Sequence, residues 1–122
     1  MDWLDNKNKQ RIVQELVPGK QITLSHIIAS PEPILYEKLG LNPVLDYARA
    51  AIGIMTVSPA ETAIIMADVA MKASAVELGF VDRFSGSLII TGTVSEVEAA
   101  EQAILDYVRE KLQYTTCGIT RT

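Results

Sequence analysis

Side chains suited to nucleophilic or acid–base chemistry are few in this chain: one histidine, one cysteine and 15 carboxylates among 122 residues. Nucleophilic catalysis needs a nucleophile beside a base that activates it. The one imidazole, His26, lies inside the apolar stretch ITLSHIIA, a setting for a core or interface residue holding a hydrogen bond rather than for a base. Cys117 has no basic or helix-N-terminal setting that would lower its pKa, so it reads as a small buried apolar residue. A zinc site needs several His or Cys ligands at set spacing, and the supply is inadequate. Asp68 and Lys72 stand four apart on one helical stretch, the spacing of a solvated ion pair. Glu96, Glu98 and Glu101 fall in the first turns of another helix, where the macrodipole favours carboxylates. No phosphate-binding glycine pattern occurs, since Gly86 and Gly92 sit at a hairpin tip and in a strand. The expectation is a non-enzyme with no cofactor and no metal.

Composition narrows the class. The length suits one domain. Hydrophobic residues make up 48% and aromatics only 6%, so the apolar content is aliphatic and suits close backbone packing. A net charge of −4, with no Lys/Arg cluster, argues against nucleic acid. No apolar run approaches the roughly 20 residues of a membrane span. The start, Met1-Asp2-Trp3-Leu4-Asp5, does not resemble a signal peptide, and a lone cysteine forbids an intrachain disulfide. A soluble cytoplasmic protein is expected.

These few groups must be positioned by an orderly series of elements. Residues 1–10 are polar apart from Trp3 and Leu4 and read as a mobile tail. Residues 11–17 (RIVQELV) alternate as a short strand, with Ile12, Gln14 and Leu16 on one face. Pro18-Gly19 is a turn. A β-branched stretch over 20–29 reads as a second strand, which Pro31 and Pro33 stop before a short helix over 33–39 ended by Gly40. Ala51–Val57 is a continuous apolar run, the mark of a strand buried on both faces. Ser58-Pro59-Ala60-Glu61 signals a capped helix start, with the helix running to about Ser74. Strands over 76–84 and 87–93 flank the tip Ser85-Gly86. Ser95 and Glu98 fit a capping box opening a helix to about Leu112, and Tyr114–Thr120 reads as a last strand. From residue 50 the order is β-α-β-β-α-β, an α+β, ferredoxin-like series, with the N-terminal strands and short helix added in front.

The helix from residue 59 stands out. Ala60, Ala63, Ile64, Ala67, Ala70 and Met71 form an apolar stripe at helical spacing, and Ile65, Met66, Val69 and Ala73 widen it. Only Glu61, Asp68 and Lys72 are ionic there. A helix apolar on so many sides is covered by something: another subunit in so small a domain, or else it presents a wide internal face with some alanines exposed.

Four ordered segments carry a resemblance: VPGKQITLSHIIASP, AIGIMTVSPAE, VELGFVDRFSGSLIITG and the ending TTCGITRT. Together they resemble the circularly permuted bacterial microcompartment (BMC) shell proteins of the propanediol- and ethanolamine-utilisation type, with similar subunits in choline-utilising compartments. The match runs from about Arg11 to Thr122. It implies a permuted BMC shell fold in which the strand and short helix over 20–39 have moved from the end of the chain to its front. The core would then span 50–120. It further implies a homo-hexamer that joins other shell proteins, encloses enzymes and retains an aldehyde intermediate. By position, Arg83, Phe84, Ser85, Gly86 and Ser87 match the pore loop. Asp68 and Lys72 match the lateral edge, and Ser30 stands where unpermuted relatives carry an edge arginine, whose planar donors serine lacks. The strand over 11–17 would form, six-fold, a small parallel β-barrel capping the pore, with Ile12, Gln14 and Leu16 lining it. Trp3 and Leu4 suggest a tail able to dock an encapsulated enzyme.

A rival reading is a ferredoxin-like regulatory domain that senses a small molecule. It accounts for the element order but not for the strand–Pro-Gly–strand prefix or the four segments. A ligand-induced rise in thermal stability with a defined dimer would favour it.

Overall fold

The computed structural model describes residues 20–41 and 51–122. The expected tail over 1–10 and barrel strand over 11–17 lie outside the described residues. Strand β1 spans Gln21–Ile28, helix α1 Pro33–Lys38, strand β2 Ala51–Ser58 and helix α2 Thr62–Ala73. Strands β3 and β4 span Glu77–Asp82 and Ser87–Gly92, helix α3 Val94–Lys111 and strand β5 Thr120–Arg121. One sheet takes all five strands in the order β3-β4-β2-β1-β5. β1 pairs antiparallel with β2, as do β2 with β4 and β3 with β4. β5 runs parallel to β1, with His26 opposite Thr120. The sheet is therefore mixed.

The alternation of β2 shows why its sequence is apolar throughout. Met55 and Val57 face the larger core, with Ile22 and Ile27 of β1, Leu88 and Ile90 of β4, and the apolar stripes of α2 and α3. Ile52 and Ile54 face the other way, onto Tyr36 of α1, Leu41 and Ile89. A strand with a core on each side has no polar face to show.

Three local expectations change. Ser58 is the last residue of β2 and does not cap α2. The chain enters α2 through tight bonds from Thr62 N–H to Pro59 O and from Ala63 N–H to Ala60 O. The capping box of α3 sits two residues earlier than Ser95-x-x-Glu98. Thr93 Oγ1 accepts from Glu96 N–H at 3.2 Å, and Glu96 Oε1 accepts from Thr93 N–H at 3.0 Å. Thr93-x-x-Glu96 has the same spacing, and Thr93 is the first residue beyond β4, still extended as a cap must be. The last strand is much shorter than Tyr114–Thr120. Only an isolated bridge between Gln21 and Thr115 and the two residues of β5 pair with β1.

The apolar stripe of α2 is also redrawn. Ala63, Met66, Ala67 and Ala70 are buried at i, i+3, i+4 and i+7 spacing. Ile64 and Met71, placed in that stripe from sequence, remain 52% and 46% exposed on the adjoining flank.

Candidate functional site

The hairpin between β3 and β4 is built by Asp82. Its carboxylate accepts from Phe84 N–H at 2.9 Å through Oδ1 and from the Ser85 hydroxyl at 2.9 Å through Oδ2. These bonds, the backbone one first, hold the Asp82 carboxyl below its ordinary pKa. Gly86 closes the turn at φ +77° and donates its N–H to Asp82 O at 2.9 Å. The Ser85 and Ser87 hydroxyls lie 3.0 Å apart. Phe84 is left 80% exposed, with the Arg83 guanidinium 5.0 Å from its ring centroid. The five residues singled out from sequence, Arg83 to Ser87, thus occupy one tight projecting tip with polar donors and one bare aromatic ring.

A second cluster lies on α2. Lys72 Nζ meets Asp68 Oδ2 at 2.8 Å, and the two side chains are 75% and 60% exposed. Hydrogen bonding and charge from Asp68 raise the Lys72 pKa. Beside this pair a shallow depression is lined by Ile65, Val69, Ala73 and Tyr107. Ser30 is exposed just past β1, and no contact joins it to Asp68 or Lys72 among the described hydrogen bonds. Ile12, Gln14 and Leu16 lie outside the described residues, as do Trp3 and Leu4.

The two nucleophile candidates have structural surroundings. His26 places Nδ1 against the Thr120 hydroxyl and Nε2 against that of Thr122 at 3.0 Å, so it makes two contacts rather than one. Burial pushes the Cys117 thiol pKa up, the reverse of activation.

Sequence reading missed one group entirely. Glu101, read from sequence as a carboxylate that the macrodipole favours in the first turns of the last helix, is 0% exposed. Its Oε1 accepts from the Ser25 hydroxyl of β1 at 2.9 Å, while Oε2 has no hydrogen-bond partner among the described residues. Desolvation pushes its pKa up to about 8 against the lowering effect of Ser25. Helical spacing held the signal. Glu101 follows Val97 by four residues and precedes Ile104 and Leu105, so it belongs to the buried stripe Val97, Ala100, Ile104, Leu105 and Val108.

Comparison with known proteins gives a consistent result. The BMC domain family model matches residues 51–121. The bacterial microcompartment shell protein PduU of Salmonella typhimurium is 51% identical over 112 residues, covering 92% of this chain and 93% of that protein. The shell protein EutS of the same organism is 49% identical over 115 residues, covering 94% of this chain and 99% of that protein. Among solved structures, the CutR flat hexamer (form 1) superposes with a TM-score of 0.78 at 43% identity, covering 87% of this chain and 94% of that one. The CutR screw of 41.9 Å pitch superposes with a TM-score of 0.77 at 43% identity, covering 86% of this chain and all of that one.

Proposed function

We propose, proceeding from the fact that this chain belongs to the BMC domain family of bacterial microcompartment shell proteins, that it works as a structural tile. Six copies close head-to-tail into a ring that joins a mixed shell in the bacterial cytoplasm and helps to retain an aldehyde near the enclosed enzymes. No catalytic step is assigned to it.

The observation that carries this reading is apolar surface that a single copy leaves uncovered. Ile64, Ile65 and Met71 of α2 are 42–52% exposed, and Leu78 and Phe80 of the edge strand β3 are 43% and 47% exposed. Bare apolar side chains on a surface helix and on a strand that ends the sheet among the described residues are a liability in a monomer and an asset in an assembly.

Within the ring, Arg83 to Ser87 of each copy form the pore rim, where the Asp82-pinned turn presents hydroxyls and Phe84 to the axis. Asp68 and Lys72 stand at the lateral edge between rings, with Ser30 in place of a guanidinium. Residues 11–17 form the capping barrel, lined by Ile12, Gln14 and Leu16. The prefix is a circular permutation. Its support is the adjacency of Lys20, just ahead of β1, to the chain's final stretch, the Lys20 carbonyl accepting from Thr115 N–H at 3.0 Å. Docking of an enclosed enzyme falls to the tail bearing Trp3 and Leu4.

Light scattering on the eluted protein tests the ring, with a mass of six chains expected and electron micrographs showing closed discs. A compact monomer at all concentrations overturns the reading. An open helical filament would retain head-to-tail contact and overturn ring closure alone, because a heterologous interface closes only when its rotation fits.

A further inference from the structure

Glu101 has no part in the shell reading, and its position is unusual. It lies where α3 crosses β1 and β2, with Gly53 beneath it so closely that a Cβ on Gly53 would stand 2.7 Å from Oε2. The last residues of the chain lie on the same side of the sheet. Cys117 and Ile119 pack against the same core, and the Glu101 charge acts on the Cys117 thiol.

That segment is fastened at its two ends. Thr115 exchanges backbone bonds with Lys20 and Ile22, and Thr122 with Ile27 and Ala29. Tyr114 N–H donates to Val108 O at 2.9 Å. Side chains add Tyr114 with the Thr62 hydroxyl at 2.7 Å, the Thr120 hydroxyl to Ser25 O at 3.4 Å, His26 against Thr120 and Thr122, and Arg121 to Glu98 at 2.9 Å between half-exposed partners. Residues 116–119, between those two ends and including Cys117, have no backbone bond to β1 among those described.

We propose that residues 113–122 form a strap which opens when Glu101 ionises, so that the outer edge of the sheet loosens as pH rises. A carboxylate beneath the closed strap has the Ser25 hydroxyl as its one partner, while opening admits water to Oε2. Among the described residues, the groups that face Glu101 offer it no counter-charge. β1 contributes Ser25, the His26 ring being turned to Thr120 and Thr122. β2 contributes Gly53, β4 contributes Ile90, and the strap contributes the Cys117 thiol. The nearest charged pair, Glu98 with Arg121, lies one turn back on α3. No cation among them is placed to hold the ionised form.

Linkage sets the expected signature. If opening restores an ordinary carboxyl, the opening constant rises about tenfold per pH unit between the ordinary carboxylate range and about 8, then levels off. Amide hydrogen exchange at Ile22, Ala29, Thr115 and Thr122, corrected for the intrinsic pH dependence of exchange, should lose protection at that rate from pH 5 to 8. In Glu101→Gln the same amides should show a flat profile. Glu101→Met, an apolar side chain of similar size, serves equally should the glutamine variant fold poorly. A flat profile in the unaltered protein overturns the proposal. So does a slope that survives both substitutions. Carbon-13 titration of the Glu101 carboxyl in the unaltered chain provides an independent check, since an ordinary acidic midpoint also overturns it.

Discussion

The carbonyl of Gly86 accepts the Val57 N–H at 2.9 Å, and a Cβ on Gly86 would stand 2.2 Å from the Val57 carbonyl oxygen. The projecting tip is thus seated on the end of β2, and only a residue without a side chain fits there.

Gly86→Ala should therefore disturb both turn and strand. The left-handed backbone costs about 1–2 kcal/mol for a residue with a Cβ, and the collision with the Val57 carbonyl adds to it. A loss of at least about 2 kcal/mol in urea unfolding is expected. Arg83→Ala, by contrast, removes only an exposed stacking partner of Phe84 and should leave the unfolding midpoint in place.

Gly53→Ala tests the close approach of α3 to the sheet. The new Cβ would meet Val97 Cγ1 at 2.6 Å and Ile90 Cγ1 at 3.0 Å, overpacking that costs about 1–3 kcal/mol. The double variant Gly53→Ala/Val97→Ala should recover part of that loss. A double-mutant cycle showing simple additivity would refute the assigned contact.

Stability should fall with rising pH through Glu101. The folded state holds its proton up to about 8, whereas the unfolded chain releases it near the ordinary carboxyl value. Between those two points the folded state binds the extra proton, so stability declines by at most about 1.4 kcal/mol per pH unit. The decline ends above the folded-state value. Denaturant titrations from pH 5 to 9 should show this slope in the unaltered protein and lose it in Glu101→Gln.

Lys72→Ala and Lys72→Glu separate a lateral role from a plain ion pair. Both side chains of the Asp68–Lys72 pair are largely exposed, so the thermal midpoint should hold. The proposed tile predicts that single rings persist while their association into sheets fails. Sheets in micrographs of Lys72→Glu would remove Lys72 from the edge.

Much of the framework is written in local pattern. The unbroken apolar run from Ala51 marks the central strand, Pro33 and Gly40 bracket α1, and Ser85-Gly86 marks the tip. Each of these depends on neighbours within a few residues, and each appears in the structure close to its expected place. Where two local solutions compete, pattern alone is insufficient. Thr93-x-x-Glu96 and Ser95-x-x-Glu98 both satisfy the capping rule, and the end of β4 at Gly92 decides for the first. Ser58 fits a cap by its residue type, but pairing with Gln21 of β1 claims it for β2.

The amino-acid order alone determined the element series from β1 to α3, its aliphatic core, the family likeness and the absence of a recognisable catalytic motif. The likeness rests on four ordered segments, and the others follow from periodicity, turn chemistry and residue supply along the chain. Tertiary structure decided which side of α2 stays bare, how little of the chain's last stretch joins the sheet, and that Glu101 sits dry beside Ser25. Those outcomes depend on contacts between residues far apart in sequence, such as Ser25 with Glu101 and His26 with Thr120. A carboxyl's charge, in particular, depends on whether water reaches it, and that is settled only when distant segments close over it.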